Sequence, residues 1–442
     1  MPHQFRIRLG LLSTIILLLV GFNYATASQE TLQTRGCSSD TSSQVECNVI
    51  EGLSANRVAA NAIGATISGG GQVDLPNQII ADFGTVGGGI DNLAGNLAVV
   101  GGGSYNRANG FRATISGGSS NSSSGAYSNI GGGENNISSS YYTAIGGGSN
   151  NTASDRYATI AGGSGNIASF TLATIGGGGN NAATSLEATV AGGSRNTATG
   201  AFATISGGAD NAATAIDTTV SGGAGNIADG EHSNISGGLA NHATGKYSVV
   251  GGGYDNQSGG ANPDQIQYAT VSGGSHNTAS GFYSTVPGGS SNEAASAYSF
   301  AVGRQSKISA SHDGVFLFAD STASDFNSSA PNEFAVRATG GIRLVTAVDA
   351  SGKPIAGVRL APGSDKWESI GNTQTSKLPD QSKQIATLQS ENALLQSKIE
   401  GLDQRIAALE QEKNTNDLLP SGTFIFGMVL AGFIFSKQLS IR

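Results

Sequence analysis

The sequence has 442 residues, of which 67 are glycine, with 12% charged and 6% aromatic side chains and a formal net charge of −8. Glycine at this level without a triplet rhythm excludes collagen, and the low charge is not that of an ordinary disordered tail. The acidic balance argues against nucleic acid or an anionic membrane surface as a partner, so no nucleic-acid binding is predicted.

The N-terminus has the layout of a secretory leader. Arg6 and Arg8 precede an apolar run over residues 9–22, and a small-residue triplet ends at Ala27. This layout predicts a cleavable signal peptide over residues 1–27 and therefore export. An uncleaved anchor is the alternative, but the apolar run is short for a membrane span.

Residues 28–58 form an N-terminal segment that holds both cysteines, Cys37 and Cys47. In an exported, oxidising setting these two thiols predict a local disulfide that closes a small loop. Pairing between subunits is the alternative. Two thiols without a nearby histidine do not make a metal site, so no metal is predicted.

The segment 59–305 is a repeat with a period of 15 residues, most regular between Val100 and Val250. An Ile or Val anchor begins each copy, a Gly-Gly pair follows two positions later, and an asparagine stands six positions after the anchor. Looser copies have anchors at Ile67, Val86, Val271, Val286 and Val302. The asparagine column consists of Asn106, Asn121, Asn136, Asn151, Asn166, Asn181, Asn196, Asn211, Asn226, Asn241 and Asn256.

Fifteen residues are too few for a helical hairpin but suit one coil of a parallel β-solenoid. Period-two alternation places Ala203 and Ile205 inward and Thr204 and Ser206 outward, with the glycine pair turning the corner. We expect about fourteen to sixteen coils. Each coil supplies one large apolar residue and a few small ones, so the core is thin and an obligate oligomer is predicted.

The asparagine column has two interpretations. An asparagine at one point of every coil can bond its neighbours above and below, and it tolerates a tight turn. Alternatively, the column is a ligand-binding ladder. The structural interpretation is favoured because no polar partner varies with the asparagine.

Copies such as ATIGGGGNNAATSLEATVAGGSRNTATGAFATISGG resemble the head repeats of YadA-type trimeric autotransporter adhesins over roughly residues 60–305. The resemblance implies a left-handed parallel β-roll and a homotrimer with three chains side by side. The period of 15 residues is slightly longer than the usual coil of that family.

A small β cap or neck region is predicted over residues 306–362. The chain enters this region through SFAVGRQSKISASHDGVFLFADS, and within it NEFAVRATGGIRLVT alternates apolar and polar residues. These stretches resemble the segment that precedes endosialidase-type intramolecular chaperones in tail-fibre-like proteins. The chaperone body and its catalytic serine context are missing from the linker at 363–382, so self-cleavage is not expected.

A coiled coil is predicted over residues 383–413. Isoleucine at heptad position a with leucine at position d favours a dimer, and Asn392 would fix the register. The repeat resemblance implies a trimer instead, and we favour the trimer. A single helix packed on the body is the alternative. The seam consists of Ile385, Leu388, Asn392, Leu395, Ile399, Leu402, Ile406 and Leu409.

An apolar run predicts a C-terminal transmembrane helix over residues 418–436. Lys437 and Arg442 follow it, which predicts a cytoplasmic basic tail and a cell-surface location for the rest of the chain. A surface-sorting signal is the alternative, but the order of residues 419–423 does not match the sortase pentapeptide.

Catalytic residues and cofactors are not predicted, because the histidines stand singly and no nucleophile elbow, zinc motif or phosphate loop occurs. The main hypothesis is a homotrimeric adhesin-like fibre that attaches to a surface ligand of unknown identity by weak multivalent contacts. Outward aromatic residues are expected to contribute: Tyr127, Tyr142, Tyr157, Phe202 and Tyr247.

Three alternatives to adhesion remain. The chain is a structural surface spacer without a ligand, an ice-binding solenoid, or a phage fibre, which the leader argues against. Ice binding rests on an outward threonine column that Asn129, Ala144 and Asn234 interrupt. The column consists of Thr159, Thr174, Thr189, Thr204 and Thr219.

Overall fold

The computed structural model of the chain describes residues 33–38, 46–260, 268–371 and 381–415. The chain divides into two compact units, with the division after Thr339. The predicted signal peptide at 1–27 and the predicted membrane segment at 418–436 lie outside the described residues.

The first unit is a parallel β-solenoid of about 19 coils, which confirms the fold predicted from the 15-residue repeat. Regular coils contribute one two-residue strand to each of two sheets, and successive coils pair in register, as where Thr114 and Ile115 face Asn129 and Ile130. Single bridges, such as that between Ser104 and Ser119, join the coils at a third point.

The solenoid strands alternate between the two sheets along the chain. The first sheet contains Gln33–Ser38, Glu46–Glu51, Thr66–Ser68, Thr85–Val86, Val99–Val100, Thr114–Ile115, Asn129–Ile130, Ala144–Ile145, Thr159–Ile160, Thr174–Ile175, Thr189–Val190, Thr204–Ile205, Thr219–Val220, Asn234–Ile235, Val249–Val250, Thr270–Val271, Thr285–Val286, Gly289–Ser290, Phe300–Arg304, Phe316–Ala319 and Phe334–Arg337. The second sheet contains Arg57–Val58, Gln78–Ile79, Leu93–Ala94, Arg107–Ala108, Ser122–Ser123, Ile137–Ser138, Thr152–Ala153, Ile167–Ala168, Ala182–Ala183, Thr197–Ala198, Ala212–Ala213, Ile227–Ala228, His242–Ala243, Gln257–Ser258, Thr278–Ala279, Glu293–Ala294, Ser306–Ile308 and Phe326–Asn327.

The core of each regular coil is one anchor and two small residues. In one coil Ala203, Ile205 and Ala213 are fully buried while Thr204 is half-buried and Ser206 is exposed, as the alternation predicts. Burying one isoleucine contributes about 1.5–3 kcal/mol, and an alanine far less. Stability therefore accumulates coil by coil, because each coil packs only against its neighbours.

Besides the first glycine of the pair, whose φ is 159° at Gly207, three positions of a regular coil have positive φ. Gly208 has a φ of 89°, and a Cβ there would collide with the backbone of Gly223 in the next coil, so only glycine fits. Asn150, with φ of 55°, stands just before the asparagine column, where asparagine tolerates left-handed backbone. The third position, three residues before each anchor, holds bulky residues such as Tyr142, with φ of 58°.

The solenoid continues past the predicted boundary at residue 305. Phe300 pairs with Phe316, and Phe316 pairs with Phe334, in the same parallel ladder as the regular coils. Residues 306–337 therefore extend both sheets. The coils exceed the expected fourteen to sixteen partly because these C-terminal ones lack the glycine and asparagine pattern.

The predicted anchor at Val302 is wrong by one residue. Thr285 pairs with Phe300, so the residue that faces inward is Ala301, which is fully buried, and Val302 is only half-buried. The in-register ladder sets the inward position here, although valine is the larger apolar side chain.

The second unit contains an antiparallel sheet of three strands, Ile342–Val348, Pro354–Leu360 and Trp367–Gly371, followed by helix α1, Gln381–Thr415. Helix α1 covers the segment predicted as a coiled coil. Among the helices in the described part of the chain, none is both long and apolar enough to span a membrane.

Candidate functional site

The described histidines lie apart from one another, and each contacts a side chain of a neighbouring coil. Nε2 of His242 lies 3.0 Å from Oδ2 of Asp229, and Nδ1 of His276 lies 2.8 Å from Oδ2 of Asp255. His232 approaches Asp217 at 3.4 Å. No cluster of three metal-ligating side chains occurs within the described residues. These pairs act between coils and do not assemble a reactive group.

The asparagine column lies inside the solenoid. The side chain of Asn151 is fully buried; its Nδ2 donates to the carbonyl of Gly147 at 3.0 Å and to that of Gly163, one coil on, at 2.9 Å. Its Oδ1 accepts the backbone N–H of Asn166 at 3.0 Å. Each asparagine thus ties its own glycine corner to the next coil.

The same bonding extends past both ends of the predicted column. Asn56, Asn77 and Asn92 precede it, and Asn277 and Asn292 follow it, all in the same chain of side-chain to backbone bonds. Asn92, Asn277 and Asn292 stand six residues after looser anchors, so the spacing would have found them. Buried and bonded in this way, the column presents no group to a ligand.

Cys47 is disulfide-bonded, within the second strand of the first sheet. Cys37, the other cysteine of the sequence, lies on the antiparallel strand next to it. Since Gln33–Ser38 pairs with Glu46–Glu51, the bond belongs to the start of the solenoid.

The outward aromatic residues form stacks along the solenoid. Tyr127 and Tyr142 stack with ring centroids 4.9 Å apart, and Tyr142 and Tyr157 stack at 5.2 Å. All three stand three residues before an anchor, and each has φ near 60°. We call these three side chains the first tyrosine stack.

A second stack lies nearer the C-terminal end of the solenoid. Its neighbours are 4.8–5.6 Å apart, and its most exposed ring is that of Tyr298. Only Tyr247 of this set was expected. His232, Tyr268 and Tyr283 also precede a recognised anchor by three residues, so the spacing could have found them, whereas Tyr298 precedes Ala301, which the sequence did not identify as an anchor. The second tyrosine stack consists of His232, Tyr247, Tyr268, Tyr283 and Tyr298.

Phe202, the remaining predicted aromatic, occupies the same column between Glu187 and Asp217. These acidic neighbours interrupt the column, so it divides into two separate stacks. The surface is therefore not uniform along the solenoid.

The threonine column lies on the outer face of the first sheet. Its members are half-buried, and the hydroxyls of Thr159 and Thr174 each lie 3.3 Å from the carbonyl two residues earlier. Towards the C-terminal end, the same position holds Phe300, Phe316 and Phe334, whose rings stack at 4.9 and 5.0 Å. This face changes from polar to aromatic along the chain.

The last coil is closed by Asp320. Its carboxylate accepts the hydroxyl and the backbone N–H of Thr339, both at 2.7 Å, and the Nε–H of Arg337 at 3.1 Å. The Thr339 hydroxyl is the main group that holds the pKa of Asp320 well below its usual range, and the Thr339 backbone N–H and Thr322 add to it. Arg337 also donates to the carbonyls of Arg304, Thr322 and Ser324. This cluster ties residues 320–339 to the preceding coil.

Comparison of the chain with models of protein families and with curated proteins gives no match.

Proposed function

We propose that this chain is an obligate homo-oligomer, a trimer, that displays its solenoid at a cell surface for attachment. The observation that carries the proposal is the exposure of the apolar side chains in the second unit. None of the side chains described within residues 340–371 and 383–411 is buried. A three-stranded sheet without a covered apolar face is not stable alone in water, so its core has to come from other copies.

Helix α1 supports the same conclusion. Its seam recurs three and four residues apart, and its apolar side chains are 44–63% exposed in the single chain. Each leucine or isoleucine gains about 1.5–3 kcal/mol when a partner helix covers it. A second or third copy of the same helix carries the same seam, which is what a parallel coiled coil requires.

The trimer, the left-handed roll and the surface location rest on the sequence. The repeats resemble YadA-type adhesin heads, and the leader at 1–27 and the apolar run at 418–436 support export and anchoring. Repeated outward positions on three chains favour attachment by many weak contacts.

Light scattering on residues 28–415, without the predicted leader and membrane segment, tests the assembly. We expect a mass of three chains that does not change on dilution into the micromolar range. A stable monomer would contradict the proposal. A dimer would contradict the trimer and agree with the dimer that the a and d residues of the coiled coil favour.

A further inference from the structure

We propose that the first tyrosine stack, together with two arginines beside it, binds an acidic polysaccharide of the polyuronate type. The inference deepens the proposed attachment function and rests on it. The site, which we call the Tyr–Arg patch, consists of Arg112, Tyr127, Tyr141, Tyr142, Arg156 and Tyr157.

The patch is contiguous and open to solvent. The guanidinium carbon of Arg112 lies 5.7 Å from the ring centroid of Tyr127, and that of Arg156 lies 5.7 Å from the ring centroid of Tyr141. The tyrosines are 38–52% exposed. No described carboxylate pairs with either guanidinium, so both positive charges are available to a ligand.

The backbone of the stack is unusual for the residues it holds. Tyr127, Tyr142 and Tyr157 have φ of 58–60°, a region that bulky side chains rarely adopt. The coil itself imposes this backbone conformation, since Leu172 and Glu187 adopt it at the same position, and it places the three tyrosine rings one above another.

The stacking of the tyrosine rings favours a hydroxyl-rich ligand over one that binds by base stacking. Tyr142 is stacked on both sides, so ring edges and phenol groups face outward in a row that repeats at about the coil spacing. Closed ring faces do not suit nucleobases, which bind by stacking on open faces. A row of phenol groups instead suits a chain with regularly repeated hydroxyls.

The two guanidinium groups indicate that the ligand is acidic. Guanidinium groups bind carboxylates in a planar, two-bond geometry, so Arg112 and Arg156 favour a ligand whose units carry carboxylates. The second tyrosine stack lacks this feature, because Lys246 pairs with Glu231 at 2.9 Å and His232 lies beside Asp217. The two stacks therefore differ in charge on the same scaffold.

Isothermal titration calorimetry of the full chain in mild detergent tests the proposal, with polygalacturonate as the probe. Dextran serves as a neutral polysaccharide, poly-dT as a nucleic acid and polyglutamate as an acidic polypeptide. We expect binding to polygalacturonate that weakens with added salt, and none to dextran.

Three variants locate the site. Arg112→Gln with Arg156→Gln should weaken polygalacturonate binding at least about tenfold. The triple variant Tyr127→Phe, Tyr142→Phe, Tyr157→Phe keeps the stack, removes the hydroxyls and should weaken polygalacturonate binding by a smaller factor. The matched change at 268, 283 and 298 should leave affinity unchanged. Unchanged melting curves establish that each variant is folded.

Equal affinity of the arginine variant and the parent, no binding of polygalacturonate, or equal or tighter binding of dextran, poly-dT or polyglutamate would overturn the proposal. The particle mass, measured on the same samples, separates the two ideas. A trimer that ignores polygalacturonate refutes only the ligand, whereas a monomer that binds it refutes only the assembly.

Discussion

The two units of this chain differ in whether their apolar side chains are buried within the single chain. The solenoid keeps its anchors, such as Ile205, fully inside a single chain, with a row of bonded asparagines beside them. The second unit has apolar residues on three strands and on helix α1, and none of those described is buried. Stability in the first unit is therefore local, from coil to coil, whereas in the second unit we expect it to depend on the proposed association.

The largest expected effect is inside the solenoid. Asn151→Gly removes a buried side chain that bonds two glycine carbonyls and one backbone N–H. The Gly147 carbonyl and the Asn166 N–H lose this partner, whereas the Gly163 carbonyl keeps the backbone N–H of Ser149. We expect a loss of about 3 kcal/mol in the free energy of unfolding, measured by urea denaturation.

Asn150→Gly is the matched control, because Asn150 is adjacent, exposed and already at positive φ. Its effect should stay within about 0.5 kcal/mol. Equal losses for the two variants would show that the asparagine column does not hold the coils together.

An intermediate effect is expected in the second unit. Leu395 lies on the seam of α1 and Leu394 lies off it, although both are 56% exposed in the single chain. Leu395→Ala should cost about 2 kcal/mol per chain of assembly free energy, because its side chain would be covered only in the proposed oligomer. Thermal melting by circular dichroism at several protein concentrations measures the change.

Leu394→Ala should leave the melting midpoint nearly unchanged at each concentration. A large effect of Leu394→Ala, or no effect of Leu395→Ala, would contradict the prediction that the a/d residues of α1 form a coiled coil. It would favour the alternative of a single helix. The solenoid signal should be the same in both variants, since its core lies within one chain.

The smallest effect concerns the last coil and depends on pH. Because the pKa of Asp320 is lowered in the folded chain, its stabilisation is full above the unfolded value of about 3.9 and is lost as the pH falls below it. Asp320→Asn should therefore lower the melting temperature at pH 7, and the difference should shrink at about pH 2.5.

The control for this measurement is Asp325→Asn, whose carboxylate accepts one bond, from Gln305 at 3.2 Å. It should change the melting temperature little at either pH. A difference between Asp320→Asn and the parent that is constant with pH would rule out the carboxylate as the source of the stabilisation.

Much of the solenoid was predictable because its determinants are local. A repeat of 15 residues sets the coil, and alternation in segments such as ATIS sets which side chains point inward. The predictions failed or stopped where the pattern weakens, as at Val302, where the parallel register places Ala301 inward and thereby sets the position of Tyr298 in the aromatic column.

The sequence by itself determined the coil length, the inward and outward positions, the asparagine column and the seam of α1, since each follows from spacing along the chain. The tertiary structure alone decided that tyrosines in the left-handed region stack on one another, that Asp320 closes the last coil, and how far the ladders run. Those features depend on the register between neighbouring coils. Hydrogen bonds between residues about 15 apart set this register, and no local sequence pattern encodes it.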